Sequence, residues 1–298
     1  TWNEGAACRV EMIGATNGPG TGWDLLSVTN SGINLQATTG SPFTLKLMSL
    51  KGIGSAGAVT NFNNNSNYTW TIAITSNGTV TNFAAAKFTN DSTLFVNDLA
   101  GGVFGVAQSG TGNTNLNVTF TPNHAPVAYA TNFSRSKGVS LKINIASLLT
   151  NSTSDADGDA RSLLSVGVST NGSTLFTNGT YIFLSPTNDL AESFTYVVRD
   201  VRSSYRAGDT VRTATNWITV TVTAQGGIAY PPVLTNGTAV LNFAGIPGYA
   251  YDVQRATNAD FSGTVVLLAT TNAPSGGVFI FVDGSPPQPQ AFYRLMSH

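Results

Sequence analysis

The sequence predicts an all-β chain, a string of β-sandwich modules, on three observations. Apolar residues alternate with polar ones over short runs, as in Tyr68, Trp70, Ile72 and Ile74, the period-two pattern of a half-buried strand. The runs are separated by Asn, Gly, Thr and Ser, which favour tight turns. Charged residues make up only 10% of the 298, against roughly 25% in an ordinary soluble domain. Uncharged polar residues stand in their place and suit the solvent faces of strands.

Length allows two or three domains, and 41% hydrophobic residues suffice for their cores. The net charge is -1 with basic residues scattered. That argues against nucleic acid, which needs a concentrated positive surface, and against a polybasic membrane contact. No apolar run approaches the ~18 residues of a membrane span. The chain begins at Thr1 rather than at a methionine, which predicts a processed or excised fragment. The single cysteine, Cys8, excludes an intramolecular disulfide. The burial habit of free cysteine predicts a small buried apolar side chain, with an intermolecular disulfide as the alternative.

In the first part, 1–122, strands are expected over 2–12, 24–28, 33–37, 43–50, 68–75, 88–96 and 103–107. A closing strand carries Leu116, Val118 and Phe120, and only 80–88 hints at a helical turn. Trp2-Asn3-Glu4-Gly5, Gly22-Trp23-Asp24-Leu25-Leu26, Ser41-Pro42-Phe43-Thr44-Leu45 and Leu116-Asn117-Val118-Thr119-Phe120 carry a resemblance. With them this part resembles the closing region of autotransporter-like passenger segments. The resemblance implies a β-helix end and a stalk or surface fibre. Trp2 and Trp23 are expected as core or cap aromatics, given the area a Trp buries.

The middle part, 123–224, opens on Asn123-His124-Ala125-Pro126, a joint that Pro holds extended. Alternating Val139, Leu141, Ile143 and Ile145 predict a strand, and 146–149 a short helical turn. Further strands over 163–168, 174–177, 180–184, 193–200 and 216–223 give the strand count of an Ig-like sandwich. Between them lies Asp155-Ala156-Asp157-Gly158-Asp159, alternate carboxylates on a Gly turn. Such a loop can turn oxygens inward, and hard Ca²⁺ takes six to eight of them at flexible geometry. It is not an EF-hand, since Gly158 stands at the fourth position and Val166 at the twelfth. The candidate ligands are Asp155, Asp157 and Asp159, with Asp200 and Asn151 from neighbouring strand ends. The competing reading is a solvated Asx/Gly turn. Asn123-x-Ala125-Pro126-x-Ala128, the acidic run and Ser193-Phe194-Thr195-Tyr196-Val197-Val198-Arg199-Asp200 resemble the cadherin-like Ig repeats of large bacterial adhesins. Two departures stand out, the insert 201–213 and Arg161-Ser162 directly after the acidic run.

In the last part, 225–298, a linker at Gln225-Gly226-Gly227 precedes strands over 238–244, 250–256, 265–269, 278–282 and 291–296, with a turn at 245–248. Leu241-Asn242-Phe243-Ala244-Gly245, Tyr251-x-Val253-Gln254 and Phe292-Tyr293-Arg294 resemble fibronectin-III-like end modules of secreted bacterial proteins. Such modules imply a spacer or anchor.

The two histidines are His124, in the joint, and His298, at the end. They assemble no nucleophile-base set, metal-ligand pair or phosphate loop with the rest of the chain, so no enzyme is expected. The three resemblances together imply a secreted protein of a bacterial cell surface: a structural or adhesive fibre, stalk or adhesin segment. Self-association by strand addition is expected, with 2–12 as a donor and main-chain hydrogen bonds giving affinity. The alternative is a carbohydrate-binding module, which would need exposed aromatics such as Trp70, Trp217 or Tyr230.

Overall fold

The computed structural model describes residues 1–136, 139–223, 228–245, 248 and 250–297, without the side chains of 223, 228–231 and 297. The expected linker at 225–227, the centre of the 245–248 turn, the Tyr230 side chain and His298 lie outside the described residues. The chain folds into two compact units, Thr1–Ala125 with Asp200–Arg212, and Pro126–Arg199 with Thr213–His298.

The first unit begins as stacked coils of short strands. β1 (Ala7–Met12), β2 (Leu26–Thr29) and β3 (Ile33–Asn34) are followed by β4 (Phe43–Gly52), the short β5 (Ser55–Ala56), β6 (Tyr68–Ser76) and β7 (Val80–Thr81). β4 pairs in parallel with β1 and with β8 (Phe88–Leu94), β6 with β2, and β7 with β3. These parallel pairings join strands 37 to 47 residues apart in sequence order. β9 (Val103–Ser109) and β10 (Asn115–Thr121) then turn antiparallel, and β10 lies between β6 and β9. The helical hint at 80–88 is a single 3₁₀ turn, Ala85–Lys87.

The stacking explains residues that composition alone leaves mute. Asn30 and Asn77 both hold left-handed backbone, at φ 58 and 59, a conformation asparagine tolerates. They stand 47 residues apart, and Asn77 Nδ2 donates to Asn30 Oδ1 at 3.1 Å. Between the same turns, a Cβ on Gly78 would lie 2.3 Å from the Ser31 carbonyl oxygen, so only glycine lets the two coils approach. Inside, Met12, Leu45, Leu47, Trp70, Leu116, Val118 and Phe120 form one core.

The second unit holds two sandwiches. Its first comprises β11 (Val127–Ala128), β12 (Thr131–Ser136), β13 (Leu141–Asn144), α1 (Ile145–Ser152), β14 (Thr153–Ser154), β15 (Ala160–Val166), β16 (Thr174–Thr177), β17 (Tyr181–Ser185), β18 (Glu192–Val201) and β19 (Thr213–Thr223). One sheet runs β12-β19-β18-β15 and the other β13-β17-β16, with β11 paired to β14. Ile143, Ile182, Leu184, Phe194, Tyr196, Val198, Ile218 and Val220 fill the space between. The expected strand through Ile145 stops one residue early. Asn144 caps a helix, its side chain accepting from the Ser147 N–H at 2.9 Å, so Ile145 enters the core from α1.

The other sandwich comprises β20 (Ile228–Thr235), β21 (Thr238–Ala244), β22 (Ala250–Ala256), β23 (Val265–Asn272), β24 (Val278–Asp283) and β25 (Phe292–Ser297). Its sheets run β20-β21-β24 and β23-β22-β25, closing on Leu241, Phe243, Tyr251, Val253 and Leu295. The all-β, Ig-like reading of the fold is thus what the strands form.

Candidate functional site

The acidic loop starts where α1 and β14 deliver it. Tyr196, buried on β18, donates from its hydroxyl to the carbonyls of Tyr129 at 2.7 Å and Ser152 at 2.8 Å. Together with the Tyr129 N–H, which donates to the same Ser152 carbonyl at 2.9 Å, it caps the end of α1 at the start of β14. Burial pushes the Tyr196 phenol above its ordinary value, and the bond to Tyr129 opposes this.

Within the loop, Asp155 Oδ1 accepts the backbone N–H of Asp157 at 2.9 Å and of Asp159 at 3.2 Å. Gly158 makes the reversal at φ +76. This is an Asx turn, and it accounts for one of the two Asp155 oxygens. The other, Oδ2, is buried with no hydrogen-bond partner, and a carboxylate oxygen of Asp159 lies within 4.8 Å of an Asp155 oxygen. A desolvated carboxylate oxygen without a donor is costly, and oxygen of this kind is the ligand type of a hard cation. Asp157 is exposed. Asn151, expected as a further ligand, is exposed in the last turn of α1.

Asp200 belongs to the first unit, and both of its oxygens are engaged there. It is 2% exposed. Oδ2 accepts from Asn123 Nδ2 at 2.6 Å and Oδ1 from the Tyr205 hydroxyl at 2.7 Å. Arg202 Nη1 donates to Asn123 Oδ1 at 2.7 Å, and the Arg212 N–H donates to the Tyr205 oxygen at 2.8 Å. Desolvation, with the Asp200 bond and charge, pushes the Tyr205 phenol up to about 12 against the opposing Arg212 contacts.

Further along the same segment, Arg206 Nη1 donates to the carbonyls of Ser92 and Phe95, and Nη2 to that of Asn97. Its guanidinium also pairs with Asp209 at 3.0 Å. These groups line an open groove of about 460 Å³. Because Arg206 turns its donors inward, the groove offers an anion no free fork. Asp98 beside it is desolvated, which raises its pKa. Hydrogen bonds from Thr210 and Ala100 and the Arg212 charge outweigh that and hold it below its ordinary value. The sequence marked this network only as the insert 201–213 that departs from the Ig pattern.

Of the aromatics expected for sugar stacking, Trp70 must be struck out. It is 1% exposed, its indole N–H donates to the Ala15 carbonyl at 2.9 Å, and it stacks on Tyr68. The reason is its phase on β6, which places it on the inward face with Ile72. Trp217 is 50% exposed on β19. Trp2 stacks on Phe43, and Trp23 donates to the Thr71 carbonyl; both pack on the core as expected. Cys8 is exposed, not buried, since it lies toward the end of β1, beyond the buried pair Val10 and Met12. Partial desolvation, then Asp24, push its thiol above the ordinary value.

Strand order thus defines an all-β chain whose second unit is built of Ig-like β-sandwiches. Residues 123–221 match the family model of the bacterial Ig domain. Among solved structures, the chain is similar to the human mucin-like protocadherin EC1-2 at 15% identity, covering 42% of this chain and 69% of that one. The TM-score of 0.26 is too low to bear on the arrangement of the strands. No curated protein matches the chain.

Proposed function

We propose that the chain is a length of an extracellular structural or adhesive protein of a bacterial cell surface, a stalk, fibre or adhesin segment. The observation that supports this most is the bacterial Ig match over 123–221, on a stretch whose second-unit part builds a β-sandwich. In this reading 1–122 acts as an autotransporter-like passenger end and 225–298 as a fibronectin-III-like spacer. Such domains hold things at a distance, and catalysis has no part in the reading. Low charge removes most repulsion between copies, which favours self-association. β1 is already paired along six residues with β4, so association through a strand edge that is already free needs less rearrangement than donation of 2–12. Antibody labelling of intact source cells tests the location, and label confined to broken cells overturns it. Electron microscopy of the purified chain tests assembly. Fibres or regular oligomers support it, and monodisperse monomers at high concentration, unchanged by a terminal deletion, sink it.

The acidic loop is proposed to take Ca²⁺. Asp155 and Asp159 would hold it from inside the turn and Asp157 from the rim, with the ion supplying charge to the buried Asp155 Oδ2. Asp200 already accepts two hydrogen bonds, so the proposal rests on the loop's own carboxylates. The ion would stiffen the loop between β14 and β15.

A further inference from the structure

The edge of the last sandwich carries an unusual strand. β24 pairs with β21 on one side, and it ends its sheet in the order β20-β21-β24. Val278, Ile280 and Val282 point to the outer face and are 55%, 65% and 53% exposed. Phe279 packs against the core on the opposite face, and so does Phe281. Edge strands are ordinarily protected by Lys, Pro, a bulge or a cover, because unpaired N–H and C=O groups invite a second strand. β24 has no Lys, no Pro and no register break in its ladder with β21. Its one charged residue, Asp283, is turned inward, where Arg255 holds it at 2.7 Å and Tyr293 donates to it at 2.8 Å. The outer stripe extends across the sheet, since Val282 is partnered by Val240 and Val240 by Val233, itself 54% exposed.

The occupant follows from the sequence of the strand. Val278-Phe279-Ile280-Phe281-Val282 reads the same in both directions. A two-fold interface needs a patch complementary to itself. Antiparallel pairing of β24 with its copy about Ile280 puts Ile280 opposite Ile280, Val278 opposite Val282, and Phe279 opposite Phe281. Every outer residue then meets an outer aliphatic one and every inner residue an aromatic one, with no charge brought together. Asp283 falls opposite Gly277, which has no side chain to displace it. We propose that β24 is a homodimerisation edge, joining two three-stranded sheets into one continuous six-stranded sheet. This rests on the self-associating reading above and names its surface. One strand edge buries less than the ~1,600 Å² of a standard stable interface, so the contact is weak in solution and suited to crowded copies.

The test is disulfide trapping in the full chain with Cys8→Ser. Directly opposed residues in an antiparallel pair lie about 4.5–5.5 Å apart at Cα, within disulfide reach. Ile280→Cys is expected to form a covalent dimer at least tenfold faster than Val278→Cys or Val282→Cys alone. Those two sit roughly 13 Å from their own copies in this register, and mixing them should restore trapping. Equal rates for the three single variants would overturn the register and the proposal. As a second arm, Ile280→Lys places two cations face to face and should abolish the dimer in sedimentation while leaving the melting temperature unchanged. Assemblies that survive Ile280→Lys overturn the β24 edge but leave the self-associating reading standing. Absence of both assemblies and trapping overturns both.

Discussion

At the scale of single residues, the informative positions are buried polar groups with several bonds each. Tyr196 donates to two carbonyls that close the start of the acidic loop. Tyr196→Phe keeps the ring and removes the hydroxyl, so denaturant unfolding should show a loss of about 1–3 kcal/mol. No loss would mean that water replaces the hydroxyl. Arg206 carries more. Arg206→Ala strips donors from the carbonyls of Ser92, Phe95 and Asn97 and leaves Asp209, 2% exposed at its side chain, without its cation. Breaking a buried pair from one side costs about 3–5 kcal/mol. Arg206→Lys restores the charge but not the planar fork, and should recover only part of the melting temperature. Tyr205 gives the pH dependence. Its phenol is raised from 10.0 to about 12, so its contribution is fully present below pH 10 and is lost as pH rises toward 12. Tyrosinate absorbance and a melt across that window check it; Asp200→Asn should bring the titration down toward 10. A melting temperature flat from pH 9 to 12 would contradict the assignment.

At the scale of elements, the proposed Ca²⁺ site of the acidic loop makes a direct test. If it binds Ca²⁺ in the folded state alone, saturation at a hundred times Kd adds about 2.7 kcal/mol. Removing Ca²⁺ with a chelator should then lower the midpoint of the second unit, and Asp155→Asn should abolish the difference. An unchanged midpoint returns the loop to a plain Asx turn. The elements were unevenly legible in the sequence. Strands with strict alternation, such as β21, declared themselves, because burial of one face imposes period two; β6 alternates only as far as Ile72, where a register break against β10 buries Ala73 and Thr75 and leaves Ile74, expected on the inner face, 38% exposed. The Asx turn was also readable, since Asp and Gly at that spacing have few alternatives. Which strands of the first unit pair in parallel was not. Their partners are 37 to 47 residues away, as in Ala7 with Thr44 and Leu26 with Ala73. No local pattern states such a pairing. The exposure of Cys8 and the burial of Trp70 depended on where each strand ends and which face it buries. Residue type alone does not decide either.

At the scale of the whole molecule, the joint visible in the sequence and the limits of a folding unit differ. Asn123-His124-Ala125-Pro126 looks like a clean break, yet Asp200–Arg212 completes the first unit. The segment places Ser204 on the Gly101 carbonyl at 2.7 Å, Asp209 on the Leu99 N–H at 3.1 Å and Arg212 on Asn64 at 3.2 Å. A chain truncated to 1–125 therefore keeps its apolar core but loses the donors and acceptors that this segment supplies to 92–101. Buried polar groups left without partners are destabilising by about 1–3 kcal/mol each, and Asn123 would lose Asp200, Arg202 and Tyr205 together. The truncated chain should melt well below the corresponding transition of the full chain, with amide exchange accelerated first at 92–101. Equal melting temperatures would show the segment to be a passive insert. Salt gives the control for this measurement. With 10% charged residues and a net charge of -1, long-range repulsion is weak, and screening over a Debye length of about 8 Å changes little. The difference between the two chains should persist unchanged in salt, as expected if it comes from buried hydrogen bonds and not from surface charge.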